Sequence, residues 1–420
     1  MTNSTLGEVM MVRAAVFSFE ILARDQRARA GRLFTPHGVI ETPAFVPVAT
    51  RAAIPGLSAR DLEAVGTQVL ITNAFHLHLQ PGEEVIRAAG GLQQFMGWKG
   101  PIMIDSGGFQ IFSLGAGRKR GLSKVASEFA GGGGRDKHSP AVNTKPLVRL
   151  DEAGAEFISY RDGSRHRFTP EGVVETGLDL GADLIMPLDE CTSPLYSHGE
   201  TRAALERTHR WALRSLAAFQ RRPAGGQALF GIIQGGDFED LRRESARFVA
   251  DQAFDGLAIG GYLGQSRARM AQVLKWTIPS LPEHKPRHLL GIGWVEDVLK
   301  AVELGIDLLD CAAPTRLALT GTLLAKREKR FRLRVRNETF RKDLRPVEED
   351  CPCATCRRYS RAYLRHLFKA GEPLGMHLAV RHNLCFMEIL MGQIRSAIKD
   401  GKLASLIRKW GDYAFLPVEK

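Results

Sequence analysis

The chain has 420 residues, of which 44% are hydrophobic and 25% charged, so a disordered or fibrous protein is excluded. Lys and Arg total 58 against 46 Asp and Glu, and the net charge of +12 favours a polyanionic partner. Six cysteines are too few for a disulfide framework, and the apolar runs are shorter than the ~18 residues of a membrane helix, so we expect a cytoplasmic protein.

Short apolar runs recur along the chain, each followed by polar or glycine residues and then by a stretch of helical periodicity. The runs predict parallel strands at 43–48, 68–71, 102–104, 184–188, 229–233, 257–259, 288–290 and 306–309. Amphipathic stretches at 202–217 and 239–251 predict two of the intervening helices. Eight strand–helix units over roughly 270 residues favour an α/β fold with a closed (β/α)8 barrel over an open sheet.

Three segments interrupt this pattern before residue 322. Segment 17–40 predicts a small antiparallel cap on the amino-terminal side, and 155–168, with Asp162-Gly163-Ser164 at its centre, predicts a β-hairpin. Segment 115–145 contains four consecutive glycines and an excess of basic residues. It predicts a flexible insertion, which is either a plain surface loop or a contact to phosphates.

The composition changes after residue 322, so we predict a barrel domain at 1–322 and a second region at 323–420. Between 326 and 345 there are ten Lys and Arg. In 331–336, apolar residues alternate with Arg332, Arg334 and Arg336, which predicts a strand with one basic face. Such a face is often merely solvated, but its uniform sign favours contact with a nucleic-acid backbone.

Cys351, Cys353 and Cys356 place three thiols within six residues, in what we expect to be a tight loop after Pro346. Three thiolates need a fourth ligand to complete a tetrahedral Zn²⁺ site. The candidates are His366, His377, His382 and Cys385. We favour His382, which begins the apolar-periodic stretch 383–398 and could face the cysteines from a helix start. A site with four protein ligands is structural, since it has no open position.

Asp105, Asp189 and Asp310 each stand at the end of a predicted barrel strand, where active sites of such barrels lie. Aspartates and glycines at strand ends can also be simple turn formers, but seven polar ends favour a site. Clustered carboxylates suit metal-assisted chemistry or glycosyl transfer. His76 and His78 are the only His-x-His pair and follow a strand, so metal catalysis is the weaker alternative.

Several motifs, in order, resemble those of the tRNA-guanine transglycosylases. They are Asp105-Ser106-Gly107-Gly108-Phe109-Gln110, Asp189-Glu190-Cys191, 231–235, 305–311 with Pro314-Thr315-Arg316, and the opening 42–48. The 26 positions from Cys356 to His382 also match that family's zinc spacing. The resemblance extends from about residue 13 to 410 apart from the insertion.

This resemblance implies a pentosyltransferase that exchanges the wobble guanine of tRNAs with GUN anticodons for 7-aminomethyl-7-deazaguanine, a queuosine precursor. It implies Asp310 as the nucleophile that forms a covalent ester with the ribose, and Asp105 as the general acid and base. It further implies a structural zinc ion, a homodimer and contacts to tRNA by Arg316, with the basic strand 330–336 as a further grip on the tRNA. The base would be bound by Ser106, Phe109, Asp189, Cys191, Gln234, Gly261 and Leu290.

The sequence departs from the family pattern at three points. Leu319 replaces an expected arginine, and the usual Asn-Thr-Tyr-His is Asn-Ala-Phe-His here, with Ala74 and Phe75 in the middle. The loop 260–264 is one residue shorter than in the family. These differences keep open a related enzyme that uses another 7-deazaguanine or another nucleic acid. A non-enzymatic RNA-binding subunit is a third reading, which the presence of both Asp105 and Asp310 disfavours.

Overall fold

A computed structural model of the chain describes residues 17–115, 148–222 and 225–415. The insertion expected at 115–145 falls outside these ranges apart from its first residue. The strands are β1 (Ser18–Asp25), β2 (Ala28–Thr35), β3 (Gly38–Thr42), β4 (Ala44–Pro47), β5 (Leu70–Asn73), β6 (Ile102–Asp105), β7 (Val148–Asp151), β8 (Gly154–Ile158), β9 (Arg165–Phe168), β10 (Leu184–Ile185), β11 (Ala228–Ile233), β12 (Gly256–Ile259), β13 (Arg287–Leu289), β14 (Leu308–Cys311), β15 (Thr322–Leu324) and β16 (Arg332–Arg334).

The α-helices vary widely in length. They are α1 (Ala59–Val65), α2 (Ala74–Leu79), α3 (Glu83–Ala88), α4 (Leu92–Met96), α5 (Gly108–Gly115), α6 (Pro170–Asp179), α7 (His198–Gln220), α8 (Glu239–Ala250), α9 (Arg267–Thr277), α10 (Val295–Glu303), α11 (Ala313–Leu319), α12 (Ala354–Arg358), α13 (Arg361–Ala370), α14 (Pro373–Lys399) and α15 (Leu403–Phe415). No helix within the described ranges has the length and apolar character needed to cross a membrane.

The predicted (β/α)8 barrel is confirmed. Eight strands form one sheet in the order β4-β14-β13-β12-β11-β10-β6-β5, and an isolated parallel bridge between Val48 and Ile71 connects the segments at its two ends. Strand β10 is shorter than the predicted 184–188. Met186 still donates its N–H to the carbonyl of Ile104, but Pro187 has no N–H with which to continue the ladder.

The described chain divides into two compact units, one with Asn73–Leu92 and the described part of Met103–Leu290, the other with Ser18–Thr72, Gln93–Ile102 and the described part of Gly291–Lys420. The boundary at 322 stays a prediction. In the first unit, β8 and β9 form the predicted hairpin, which β7 extends to three antiparallel strands. Helix α7 begins earlier than predicted because Ser197 and Glu200 form a reciprocal capping box.

The second unit contains the predicted amino-terminal cap, in which β1, β2 and β3 pair antiparallel. It also contains the longest helix, α14, in which His382 lies ten residues in. The prediction that His382 stands at a helix start was therefore wrong. The helix begins at Pro373, because proline's fixed φ and missing N–H are compatible with the first helical turn, and Leu378 and Ala379 already belong to its buried face.

Candidate active site and metal centre

Asp105 ends β6 and is held by the side-chain amide of Asn73, the last residue of β5. Asn73 Nδ2 lies 2.6 Å from Asp105 Oδ2 and 3.0 Å from Gln110 Oε1. The Asn73 Oδ1 atom accepts the backbone N–H of His76 at 3.2 Å and so caps helix α2. Because both ends of the amide are engaged, one carboxylate oxygen of Asp105 is fixed in position. Neither Asn73 nor Gln110 was assigned a role from the sequence; the polar end of a strand was the signal available for Asn73.

Asp189, Cys191 and Gln234 form a buried polar cluster in the same unit, with side chains at most 7% exposed. Gln234 Nε2 donates to Asp189 Oδ2 at 2.5 Å, and Cys191 Sγ lies 3.6 Å from the same oxygen. Gln234 Oε1 has no hydrogen-bond partner among the described residues. A buried amide oxygen in this condition is costly unless a ligand or water donates to it, so the cluster is suited to a polar ligand.

Glycine backbone closely surrounds this polar cluster. A Cβ on Gly261, whose φ is +74°, would lie 2.0 Å from Gln234 Oε1, and one on Gly108 would lie 2.8 Å from Asp189 Oδ1. A Cβ on Gly260 would meet Gln234 Nε2 and Leu290 Cδ1, both at 3.2 Å. Gly261 and Leu290, both predicted to bind the base, therefore lie beside Gln234.

The two remaining residues predicted to bind the base flank Gly108. Ser106 is buried, and its Oγ accepts the backbone N–H of Gly108 at 3.2 Å. Phe109 lies in the first turn of α5 and is half-buried. Both therefore stand close in sequence and space to Gly108, where the backbone approaches Asp189.

Glu190, the middle residue of the Asp189-Glu190-Cys191 motif, points to helix α7 and has a structural role. Its backbone N–H donates to Thr208 Oγ1 at 3.0 Å, and its carboxylate pairs with Arg207. Burial raises the pKa of the Glu190 carboxyl, and the nearby Arg207 guanidinium opposes that rise. Glu190 thus anchors to helix α7 the segment that contributes Asp189 and Cys191 to the polar cluster.

In the second unit, Asp310 is the third residue of β14 and is 9% exposed. Its Oδ1 accepts the backbone N–H of Gly291 at 2.9 Å. Asp307, just before the strand, differs completely, because it is 0% exposed and paired with Arg29 of β2. Of the two carboxylates, Asp307 stabilises the cap and Asp310 is the candidate for chemistry.

The basic residues predicted to contact tRNA also belong to the second unit. Arg316, in the last turn of α11, is exposed, as are Arg334 and Arg336. The predicted alternation is observed, since Phe331, Leu333 and Val335 are buried, although β16 itself covers only Arg332–Arg334. Arg332 differs from its neighbours: it is half-buried and its guanidinium carbon lies 4.1 Å from the centroid of the Trp294 ring.

Cys351, Cys353, Cys356 and His382 form a buried group whose ligand atoms all lie within 4.8 Å of one another. His382 Nδ1 lies 3.3–3.8 Å from the three sulfurs. The opposite nitrogen, Nε2, lies 2.7 Å from the carbonyl oxygen of Leu324, an outer partner that orients the ring as in protein metal sites. Sulfur and imidazole donors in this number fit a tetrahedral ion.

The two other candidate histidines are engaged elsewhere, whereas Cys385 adjoins the group of four without belonging to it. His377 Nδ1 lies 2.7 Å from the carbonyl oxygen of Gly56, and His366 stacks on Tyr363. Cys385 is buried and interacts with the sulfurs of Cys351 and Cys353. The cysteines are not confined to a loop, because Cys353 caps α12 and Cys356 lies within it.

Comparison with known proteins identifies the family of the chain. The family model described as queuine tRNA-ribosyltransferase matches residues 25–133 and 135–413. A protein of Archaeoglobus fulgidus named putative queuine tRNA-ribosyltransferase is 46% identical over 93% of this chain and 98% of its own length. Queuine tRNA-ribosyltransferases of Roseiflexus sp. and Herpetosiphon aurantiacus are 45% and 43% identical over 94% of this chain and over 98% and 92% of their own lengths. The chain belongs to the queuine tRNA-ribosyltransferase family.

Proposed function

We propose that the chain is a tRNA-guanine transglycosylase that replaces the wobble guanine of tRNAs with GUN anticodons by 7-aminomethyl-7-deazaguanine. The observation that carries the proposal is the buried Asp189–Gln234 pair with its unpartnered Oε1 atom among the described residues. Guanine presents N–H donors at N1 and N2 and an acceptor at O6. Asp189 and Gln234 offer complementary carboxylate and amide groups in a buried setting, where an unmatched purine edge would be strongly disfavoured.

In the first displacement, a carboxylate oxygen of Asp310 attacks C1′ of the wobble nucleoside. The bond from C1′ to guanine N9 breaks, its electron pair stays on the base, and Asp105 supplies the proton to the departing guanine. The Gly291 N–H that binds Asp310 Oδ1 holds the nucleophile in place. The product is an ester between Asp310 and the ribose.

In the second displacement, Asp105 takes the N9 proton of the incoming base. N9 then attacks C1′, and the bond between C1′ and Asp310 breaks, which restores the free carboxylate. Two inversions give net retention, as in retaining glycosidases. Asn73 donates a hydrogen bond to Asp105 Oδ2 and so holds this carboxylate in place during both proton transfers.

The remaining components of the proposal serve binding and stability. Cys351, Cys353, Cys356 and His382 hold one structural Zn²⁺ ion, which stabilises the surrounding helices and takes no part in the reaction. Arg316, Arg332, Arg334 and Arg336 attract the tRNA backbone, and the chain acts as a homodimer. Its six cysteines, none of them in a disulfide, suit the reducing cytoplasm.

Two observations favour a second candidate, a related enzyme for a different 7-deazaguanine or another nucleic acid. The short loop 260–264 lies beside Gln234, and Leu319 stands half-buried where a second arginine is expected three residues after Arg316. Comparing tRNA with DNA as the exchange substrate, and the 7-aminomethyl base with other 7-deazaguanines, separates the two candidates.

The proposal is tested by incorporation of labelled guanine into unmodified tRNA that carries guanine at the wobble position. Wild type should incorporate label, Asp310→Asn should not, and the exposed Asp400→Asn is a matched control that should act as wild type. Denaturing electrophoresis should also show a covalent protein–tRNA adduct that is absent with Asp310→Asn. No incorporation by folded, metal-loaded wild type contradicts the proposal.

A further inference from the structure

Arg242 is a completely buried arginine in the first half of helix α8, in the same unit as the Asp189–Gln234 pair. It donates at 2.7–3.0 Å to four backbone carbonyl oxygens, which belong to Ile233, Gly236, Gly260 and Tyr262. Burial lowers the pKa of its guanidinium to about 9, and the charge of Asp237 opposes the decrease, so the group stays protonated at neutral pH. Burying a cation is costly unless its donors are hydrogen-bonded, and the four carbonyl contacts of Arg242 offset that cost.

The four carbonyls flank the two residues proposed to read the base. Ile233 and Gly236 bracket Gln234 after strand β11, and Gly260 and Tyr262 bracket Gly261 after strand β12. Two loops that follow neighbouring parallel strands are separate segments of chain. The planar guanidinium connects them through one rigid group, because its donors have a fixed fork geometry.

Helix α8 contributes a second contact to the same loop. Ser245 Oγ, one turn after Arg242, accepts the backbone N–H of Gln234 at 3.2 Å. The loop comes this close because residue 235 is a glycine with φ of +128°, at which a Cβ would lie 2.9 Å from the backbone nitrogen of Arg242. Any other residue would push Gln234 away from the helix.

A different arginine packs against the far end of the short loop. Arg269 donates to the carbonyl oxygen of Asp237 at 2.7 Å, and its Cγ would lie 2.2 Å from a Cβ on Gly264, whose φ is +98°. Its guanidinium stacks on Trp276, with the ring centroid at 4.6 Å. The loop 260–264 is therefore hydrogen-bonded by Arg242 at Gly260 and Tyr262 and packs against the Arg269 side chain at Gly264.

We propose that Arg242 is a positioning residue that fixes the distance between Gln234 and Gly261 and thereby determines which purine bases the site accepts. The inference rests on the proposed base exchange. Arg242 acts through the backbone of the two loops and not through contact with the base. Loss of the guanidinium would let the two loops shift independently. The hydrogen-bonding groups of Gln234 and Gly261 would then no longer be held at a fixed distance from each other.

The test measures exchange kinetics for guanine and for hypoxanthine, which lacks the 2-amino group, with wild type and Arg242→Lys. A lysine has one nitrogen and cannot reach four carbonyls spread over two loops. We expect KM for guanine to rise about tenfold or more and kcat to change less, as expected for lost ground-state binding. The preference for guanine over hypoxanthine should fall by a similar factor.

The neighbouring Arg243→Lys is the matched control, because Arg243 contacts only Glu239 among the hydrogen bonds described for it, and it should keep the wild-type values. A general structural weakening would lower the exchange of both bases equally, and an unchanged guanine-to-hypoxanthine ratio in folded Arg242→Lys overturns the inference. If Arg242→Lys does not fold, Ser245→Ala carries the test, with a smaller shift of the ratio expected and an unchanged ratio overturning it. Absence of any exchange by wild type would instead contradict the proposed function itself.

Discussion

The Arg29 side chain of the amino-terminal cap forms a buried ion pair with Asp307, three residues before the proposed nucleophile Asp310. Arg29 Nε lies 3.0 Å from Asp307 Oδ1, the second guanidinium nitrogen contacts the other oxygen, and both residues are at most 1% exposed. The contact joins β2 to the residue that precedes β14. Asp307 therefore stabilises the fold, whereas Asp310, three residues later, is the proposed nucleophile.

This relationship predicts opposite phenotypes for two matched substitutions. Asp307→Asn leaves the Arg29 charge buried without its counter-ion and should lower the free energy of unfolding by about 3–5 kcal/mol. Asp310→Asn should change stability little and abolish guanine exchange. Urea unfolding and label incorporation, measured on both variants, check the prediction. A stable Asp307→Asn, or an active Asp310→Asn, would contradict it.

Asn73 offers a test of how Asp105 is positioned. Asn73→Asp keeps an oxygen that can cap helix α2, but it removes the N–H donor to Asp105 and places a second carboxylate beside it. Two close carboxylates resist ionising together, so the apparent pKa of the pair should rise. We expect kcat to fall about 10–100-fold because the donor that orients Asp105 is lost. The basic limb of the pH–rate profile should move to higher pH, because Asp105 must carry a proton for the first displacement. An unshifted basic limb would mean that Asn73 does not act on Asp105.

The geometry of the metal centre predicts that Cys353 is needed for zinc binding and that the nearby Cys385 is not. Cys353→Ser and His382→Ala should each lower zinc content and thermal stability together, because a structural ion contributes directly to folding. Cys385→Ser, a buried thiol outside the group of four, is the matched control and should retain zinc. The measurement is the number of zinc ions per chain, determined by atomic emission after dialysis. Full zinc retention in Cys353→Ser would show that Cys353 is not a ligand.

His209 predicts a pH-dependent loss of stability. It stacks on Phe248 at 3.9 Å, and burial lowers its pKa from 6.5 to about 4. The unfolded chain therefore binds a proton at a higher pH than the folded chain does. Stability is unaffected above pH 6.5, decreases as the pH falls from 6.5 towards 4, and then levels off, with a total loss of at most about 3 kcal/mol.

The measurement for His209 is the difference in unfolding free energy between wild type and His209→Phe across pH 4–8. Phenylalanine preserves an aromatic ring against Phe248 and has no titrating group. The difference should grow in favour of the variant below pH 6.5. A difference that does not vary with pH would show that His209 takes up its proton equally in both states.

The barrel, the antiparallel cap and the Cys3His group were predictable because each depends on local pattern or spacing. Period-2 and period-3.6 hydrophobicity place strands and helices, and three thiols within six residues leave few arrangements. The end of β10 was missed because an apolar run continues through Pro187, which cannot continue the ladder. The helix start near His382 was misplaced because Pro373 begins a helix as readily as it ends one.

The candidate site was predictable only in part. Aspartates at strand ends were visible, and their proposed roles stay predictions. No role was assigned to Arg242 or Asn73, since an arginine in an amphipathic helix usually lies in solvent and an asparagine at the end of a strand usually forms a turn. Their contacts arise from residues distant in sequence, such as Gly260 for Arg242 and Asp105 for Asn73. Such contacts depend on tertiary packing that no local window contains.

The bridge between Val48 and Ile71 has a consequence for solubility and for the order of folding. Strands β4 and β5 are the ends of the sheet, and each end strand of an open sheet offers unpaired N–H and C=O groups to another chain. Any intermediate that has assembled the other strands but not this bridge presents two such edges at once. Closure at Val48 thus removes the template for edge-to-edge association, and substitutions that weaken it should promote aggregation during refolding before they measurably affect the native protein.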